Sequence, residues 1–324
     1  MGDPFFMRPH LLCQVAQERN LPDGPAQDHN QGTPFMDIRA IGLGLAFALM
    51  WSSAFTSARI IVADASPLFA LSVRYLVSGI IGIAIARALG QNWNLTRGQW
   101  RATIGFGILQ NAIYLGLFFV AMQTIEASLA AIIASTMPLM VALAAWMFMG
   151  DRLSAIGIVG LIAGLAGVAL IMGTRITAGV DLTGIAICFI GVLALTIATL
   201  TVRGASSGGN LLMVVGLQML VGCVALIIAT LLFETPRLTL SVPLALAFTY
   251  TCLVPGLLAT WVWFLLVGRI GATRAATFHF LNPFFGVVIA AVLLGEQLGP
   301  RDILGVSIIA ASILAVQLSR QRSV

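Results

Sequence analysis

The chain has 324 residues, 59% of them hydrophobic and only 9% charged, with a mean hydropathy of +1.01. Ordinary soluble domains carry about a quarter charged residues, so this composition excludes a water-soluble globule. The net charge of +5 comes from arginines scattered over short connections, since all 17 basic residues are arginine. That pattern speaks of membrane orientation and excludes a nucleic-acid-binding patch. Cys13, Cys188, Cys223 and Cys252 share no close spacing. Three of them lie in apolar spans, where free cysteine behaves as a small hydrophobe, so neither a disulfide nor a metal site is expected.

Residues 1–36 are polar and dotted with proline, with no helical period and no apolar run of the length that a cleaved signal needs. They read as a disordered tail, or as an upstream extension ahead of a start at Met36. Ten apolar spans follow, at Ile41–Ile61, Pro67–Leu89, Arg101–Met122, Ala127–Met149, Ser154–Gly173, Leu182–Val202, Asn210–Phe233, Pro243–Val267, Gly271–Leu294 and Asp302–Ser319. Residues 320–324 form a short tail. Each span suits a transmembrane helix of about 20 residues. The segments are continuously apolar, whereas barrel strands alternate, so helices are expected throughout. Trp93 and Trp100 flank one connection and read as interface anchors.

Twelve arginines fall in the tails and even-numbered connections, against Arg59, Arg175, Arg237 and Arg301 on the other side. Cytoplasmic loops carry the excess, so both termini are expected in the cytoplasm. The ninth span, TFHFLNPFFGVVIAAVLLGEQL from Thr277 to Leu298, has a plainer copy 145 residues earlier, IIASTMPLMVALAAWMFMGDRL from Ile132 to Leu153. Pro138 recurs as Pro283, Gly150 as Gly295, Asp151 as Glu296 and Leu153 as Leu298. Two copies of five spans each, at 37–175 and 176–319, force the second to lie upside down relative to the first. The expected fold is an all-α integral membrane protein of ten helices in two inverted five-helix repeats. Such a repeat with a midplane site is the signature of a secondary transporter.

The residues also resemble a known family. WSSAF at Trp51–Phe55, then Pro67 with Arg74, is similar to the first repeat of the drug/metabolite transporter superfamily, EamA family. So is the unit Pro138, Gly150, Asp151, Arg152, Leu153, Gly160, Gly164 and Gly167, while Pro283, Gly295, Glu296, Leu298 and Gly305 match the second-half version. The resemblance covers about Ile41 to Leu318. Asp151 departs from it, where the family usually has Glu. It implies a ten-helix bacterial inner-membrane exporter of small metabolites. The aromatic-rich cavity candidates look similar to those of YddG-type amino-acid exporters.

Proline inside a helix cannot donate to the carbonyl four residues back. Pro138 and Pro283 therefore mark hinges, and both helices are expected to face a central cavity. His279 and Asn282 are three apart and share a helix face. The first copy has only Ala134 and Met137 there. Polar groups at membrane depth mark pathways by default, although a histidine can also merely brace a neighbouring helix. Arg74 lies about 10 Å from the end of its helix, at ~1.5 Å per residue from Pro67. It either meets a substrate carboxylate or snorkels outward. Gln110, Asn111 and Tyr114 give the third span a polar stripe, and Gln218 repeats the idea in the seventh. Trp51, Tyr75, Trp261, Trp263 and Phe278, with Ser53 beside Trp51, complete the candidate cavity.

No Asp or Glu lies deep in any span, and Glu126 and Glu296 sit at span ends. A lipophilic-cation antiporter normally keeps a carboxylate in its cavity, so neutral or zwitterionic cargo is favoured. The alternatives are a multidrug or organic-cation antiporter and, with less support, a lipid flippase or membrane enzyme. No nucleophile, metal cluster or cofactor loop is legible. Ile41-Gly42-Leu43-Gly44 lies within a helix and has no strand before it, so it is not a dinucleotide-binding loop. Partners are a small-molecule substrate and the lipid bilayer, with monomer and homodimer both open. Export of amphipathic metabolites, above all large apolar or aromatic amino acids, by alternating access is the expected function.

Overall fold

The computed structural model describes residues 38–151, 153–177, 179–201 and 209–321. The tail at 1–36, Arg152 and Arg203 lie outside the described residues. Ten helices are long and apolar enough to cross a membrane: α1 Ile38–Asp64, α2 Pro67–Ala88, α3 Arg97–Ala121, α4 Ala127–Met149, α5 Ala155–Thr177, α6 Leu182–Thr201, α7 Leu211–Phe233, α8 Val242–Ile270, α9 Arg274–Leu294 and α10 Pro300–Ser319. The odd connections, such as that between α1 and α2, lie at one end of the bundle, and the even connections at the other.

Local chemistry sets the helix ends. Thr96 caps α3 in a reciprocal box with Gln99, which starts the helix at Arg97, a turn before the first apolar residues. Gly150 and Gly295, 145 residues apart, end α4 and α9 in the left-handed region, at φ 71° and 69°. A side chain is unfavourable in that conformation, which is why both copies keep glycine there. A residue just beyond one helix also caps its inverted counterpart. The Glu234 carboxylate, after α7, accepts from the N–H groups of Leu68 and Phe69 in α2 at 3.1–3.2 Å. Reciprocally, Gln91, after α2, accepts from the Met213 N–H in α7 at 3.0 Å.

Counterpart helices pack on one another: α2 on α7, α4 on α9 and α5 on α10. In lipid there is little hydrophobic force between helices, so close backbone approach through small residues must do the work. Gly157, Gly160, Gly164 and Gly167 line α5 where it meets Ser319, Ala315, Ser312 and Gly305 of α10. Gly79, Gly82 and Gly216 do the same between α2 and α7.

The first and sixth helices are exchanged between the repeats. α1 packs on α8 and α9 of the second repeat, and α6 packs on α3 and α4 of the first. At the odd end, Ser66 and Thr239 donate backbone N–H groups to Arg237 and Asp64, tying the α1–α2 connection to the α7–α8 connection. The hydrogen bond from Thr124 ties α3 to α6 through Asp181, at 2.7 Å. That bond, with the N–H groups of Thr183 and Gly184, holds the Asp181 carboxyl below its ordinary range.

Candidate functional site

The site is built where α1, α8 and α9 meet. Phe47 and Trp51 are one turn apart on α1 and so face the same way. With Trp263 of α8 they surround the imidazole of His279 on α9. Ring centres lie 5.3 Å apart for Phe47 and His279, 5.4 Å for Trp263 and His279, and 4.7 Å for Phe47 and Trp263. Trp51 closes the group, 6.4 Å from His279 in an edge-on arrangement. Phe278 lies beside this cluster, its ring packed over Gly44 of α1.

Pro283 explains the shape of α9 here. Without the proline N–H, the His279 carbonyl loses its helical donor. The chain tightens to a 3-10 turn over Phe278–Leu281, and the Asn282 N–H takes that carbonyl instead. In α4 the Thr136 N–H likewise turns back onto Ile133. The tightened turns occupy equivalent places in both repeats. The first half of α4, Ala127–Ser135, is buried on every side, so its inner turns face protein all round instead of a cavity. It meets α9 where Gly286 rests on Ala131.

The tightened turn brings the His279 and Asn282 side chains together. Asn282 Nδ2 lies 2.9 Å from His279 Nδ1. With the amide donating, Nδ1 is the bare nitrogen and Nε2 carries the proton. Ser52 of α1 donates its hydroxyl to the Asn282 carbonyl at 3.1 Å. Asn282 Oδ1 is buried with no hydrogen-bond partner. Ser53, the next residue of α1, shares a 2.8 Å hydrogen bond with Tyr250 of α8. The arrangement offers a hydrogen-bond acceptor and an imidazole N–H amid aromatic faces, which suits an amphipathic organic molecule.

The structure places the other candidates elsewhere. Tyr75 donates to Asn111 Oδ1 at 3.2 Å, and Asn111 Nδ2 donates to the main-chain carbonyl of Gln218 at 2.9 Å. The polar stripe of α3 thus knits α3 to α2 and α7, with Gln218 contributing its backbone. Tyr114 is buried against Phe118, ring centres 4.7 Å apart. Gln110 is half-buried on the same stretch. That stretch, Gly107–Tyr114, is π-helical, and so is Cys252–Leu258 in α8, 145 residues on. Arg74 is only 7% exposed, so it does not snorkel; its guanidinium lies 5.2 Å from the Tyr75 ring centre. Trp261 is 55% exposed and lies apart from the aromatic group.

Sequence reasoning passed over Phe47, Ser52, Tyr250 and Pro255. Phe47 is legible as the residue one turn before Trp51, and Pro255 as a third proline within a span. Nothing in the sequence points to Tyr250.

At the odd end, a cavity of about 650 Å³ is lined by Arg59, Asp64, Gln123, Glu126, Arg237 and Glu296 among others. Its carboxylates are engaged. Glu126 pairs with Arg175 at 2.6 Å, Asp64 accepts from Ser241, and Glu296 accepts from the N–H groups of Ala127 and Ser128 at 2.8 and 2.9 Å. Among the described residues, no group of His, Cys, Asp and Glu could hold a metal ion.

Ten helices long and apolar enough to cross a membrane, in two inverted repeats with a polar pair inside, have the architecture of a membrane transporter. Residues 38–173 and 182–318 each match the EamA-like transporter family, and the chain belongs to that family. It is 26% identical to the uncharacterized inner membrane transporter YedA of Escherichia coli K12, over 86% of this chain and 90% of that protein. It is 23% identical to the uncharacterized transporter YvbV of Bacillus subtilis, over 84% and 90%. Protein PecM of Dickeya dadantii is 23% identical over 81% and 86%. A solved crystal structure shares the fold at 18% identity and a TM-score of 0.64, over 86% of this chain and 98% of its own.

Proposed function

We propose that this transporter exports small amphipathic metabolites across a bacterial inner membrane, with large apolar and aromatic amino acids as its leading cargo. One observation carries the reading: the His279–Asn282 pair, with a buried unpaired amide oxygen, lies beside Phe47, Trp51 and Trp263. An aromatic or branched side chain fits the ring faces, and its polar end meets the amide and the imidazole N–H. No carboxylate sits in this group to attract an organic cation. The inner-membrane relative YedA and the excess of arginine at the even end support the localisation, with both termini cytoplasmic.

The mechanism is alternating access around this site. The bodies that rock are packed groups of helices, α1 with α8 and α9 against α6 with α3 and α4, because helix exchange makes these the cohesive units. The test is reconstitution in liposomes with radiolabelled amino acids, a quaternary ammonium and an imposed pH gradient. The wild type moves aromatic and large apolar amino acids and leaves the ammonium alone. His279→Ala and Asn282→Ala cut that flux about tenfold while remaining folded, the loss expected when a buried polar contact of ~1.5 kcal/mol goes. Unchanged flux in both variants would place recognition elsewhere.

A further inference from the structure

A second site is built on the repeat's asymmetry in the π-helical turns. Asn111 in α3 and Gly256 in α8 occupy equivalent positions, 145 residues apart. In the first repeat the Asn111 side chain fills its place and bonds Tyr75 and the Gln218 carbonyl. In the second repeat there is no side chain. The point where a Cβ would stand on Gly256 lies 3.1 Å from the Thr251 carbonyl oxygen, 3.5 Å from Ser78 Oγ and 3.9 Å from Arg74 Nη2.

Both groups are more than nine-tenths buried, with Arg74 7% and Ser78 1% exposed. Arg74 Nε has no hydrogen-bond partner, Ser78 Oγ has only the Cys252 thiol beside it, and no salt bridge reaches Arg74 among the described residues. A buried cation without an acceptor is costly, and an anion that bonds it offsets the cost.

An apolar pocket of about 260 Å³ adjoins the same glycine, between α2, α7 and α8. Gly82, Val215, Met219, Leu257, Ile85 and Trp261 line it, and no charged residue does. Arg74, Ser78 and Gly82 are spaced by four on α2, so the anchor and the pocket share one helix face. Ile85 and Trp261, 45% and 55% exposed, stand at the pocket's rim.

We propose that this is a binding site for an amphipathic monocarboxylate, its carboxylate held by Arg74 and Ser78 at Gly256 and its apolar body in the pocket. The carboxylate accepts from the guanidinium N–H groups and the serine hydroxyl. No acidic residue stands by to receive an ammonium, so a simple acid fits and a zwitterion does not. The site also runs opposite to a bilayer lipid. Its charged anchor lies deep, seven residues from the odd end of α2, and its pocket runs on toward Ile85 near the even end. The site is separate from the His279 cluster and does not depend on the export reading.

The test uses 11-bromoundecanoate, whose bromine quenches a nearby tryptophan, against protein in phosphatidylcholine nanodiscs, with Trp261→Phe isolating the contribution of Trp261. The acid quenches Trp261 saturably, and 11-bromoundecanol at equal concentration does not. Arg74→Gln raises the half-saturating concentration about tenfold or more, the loss of a charged hydrogen bond. Gly256→Asn, which installs the other repeat's side chain, abolishes saturation, and His279→Ala leaves it unchanged. Equal quenching by the alcohol, or undiminished binding in whichever of Arg74→Gln and Gly256→Asn folds, overturns the proposal and leaves a lipid-facing groove.

Discussion

Contacts at single residues set how tightly the site is held. Gly44 is the clearest case, because a Cβ there would come within 2.2 Å of the Phe278 ring. Phe278 begins the 3-10 turn that carries His279, so a displaced ring shifts the imidazole as well. Gly44→Ala therefore overpacks the α1–α9 contact and destabilises the protein by roughly 1–3 kcal/mol. A thermal melt of the purified protein checks this, and a melting temperature equal to the wild type would show that α9 yields freely. Much of this neighbourhood was legible beforehand. His279 and Asn282 stood out as the polar residues that only one repeat contains, and their spacing put them on one face. Their mutual hydrogen bond was not legible, because it depends on the turn tightening ahead of Pro283. Arg74 shows the same limit: its position on α2 followed from Pro67, but the choice between snorkelling and burial is set by the neighbouring α8.

At the scale of the helices, the proline and glycine signals identified where α4 and α9 bend and stop, since both are backbone effects with fixed chemistry. The π-helical turns were not foreseen. Only α8 carries a proline there, and the first repeat forms the same turn without one. At that turn α3 packs closely on α7: a Cβ on Gly107 would come within 2.7 Å of the Gln218 carbonyl, which makes this a backbone-to-backbone approach. Cross-repeat capping was equally hidden, since it pairs residues far apart in sequence. It carries its own prediction. Glu296 receives two N–H groups that open α4, and Glu234 receives those that open α2. Glu296→Ala and Glu234→Ala each lower stability by about 0.5–2 kcal/mol, the usual range for a lost cap. The sites share no partner, so the double variant loses the sum. Chemical denaturation of all three proteins measures it, and a double variant no worse than either single one would mean that water replaces the carboxylates.

For the molecule as a whole, the repeat makes a strong suggestion that the packing revises. Two inverted copies invite a picture of two rocking halves, each a continuous stretch of chain. The exchange of α1 and α6 argues for different moving groups, because each of these helices packs on the other repeat. If α1, α8 and α9 move together, linking α1 to α8 costs transport little, and so does linking α3 to α6. Asp64 with Ser241, and Thr124 with Asp181, are already bonded and suit paired cysteines. Linking α4 to α9 at the odd end through Ala127 and Glu296 joins the two groups and stops the cycle. In a background with Cys13, Cys188, Cys223 and Cys252 replaced by alanine, oxidation should leave flux within about twofold for the first two pairs, a barrier change under ~0.5 kcal/mol. The same oxidation should abolish flux for Ala127→Cys with Glu296→Cys, and reductant should restore it. Block by the Asp64–Ser241 link, with free transport across the Ala127–Glu296 link, would return the moving bodies to the two sequence repeats.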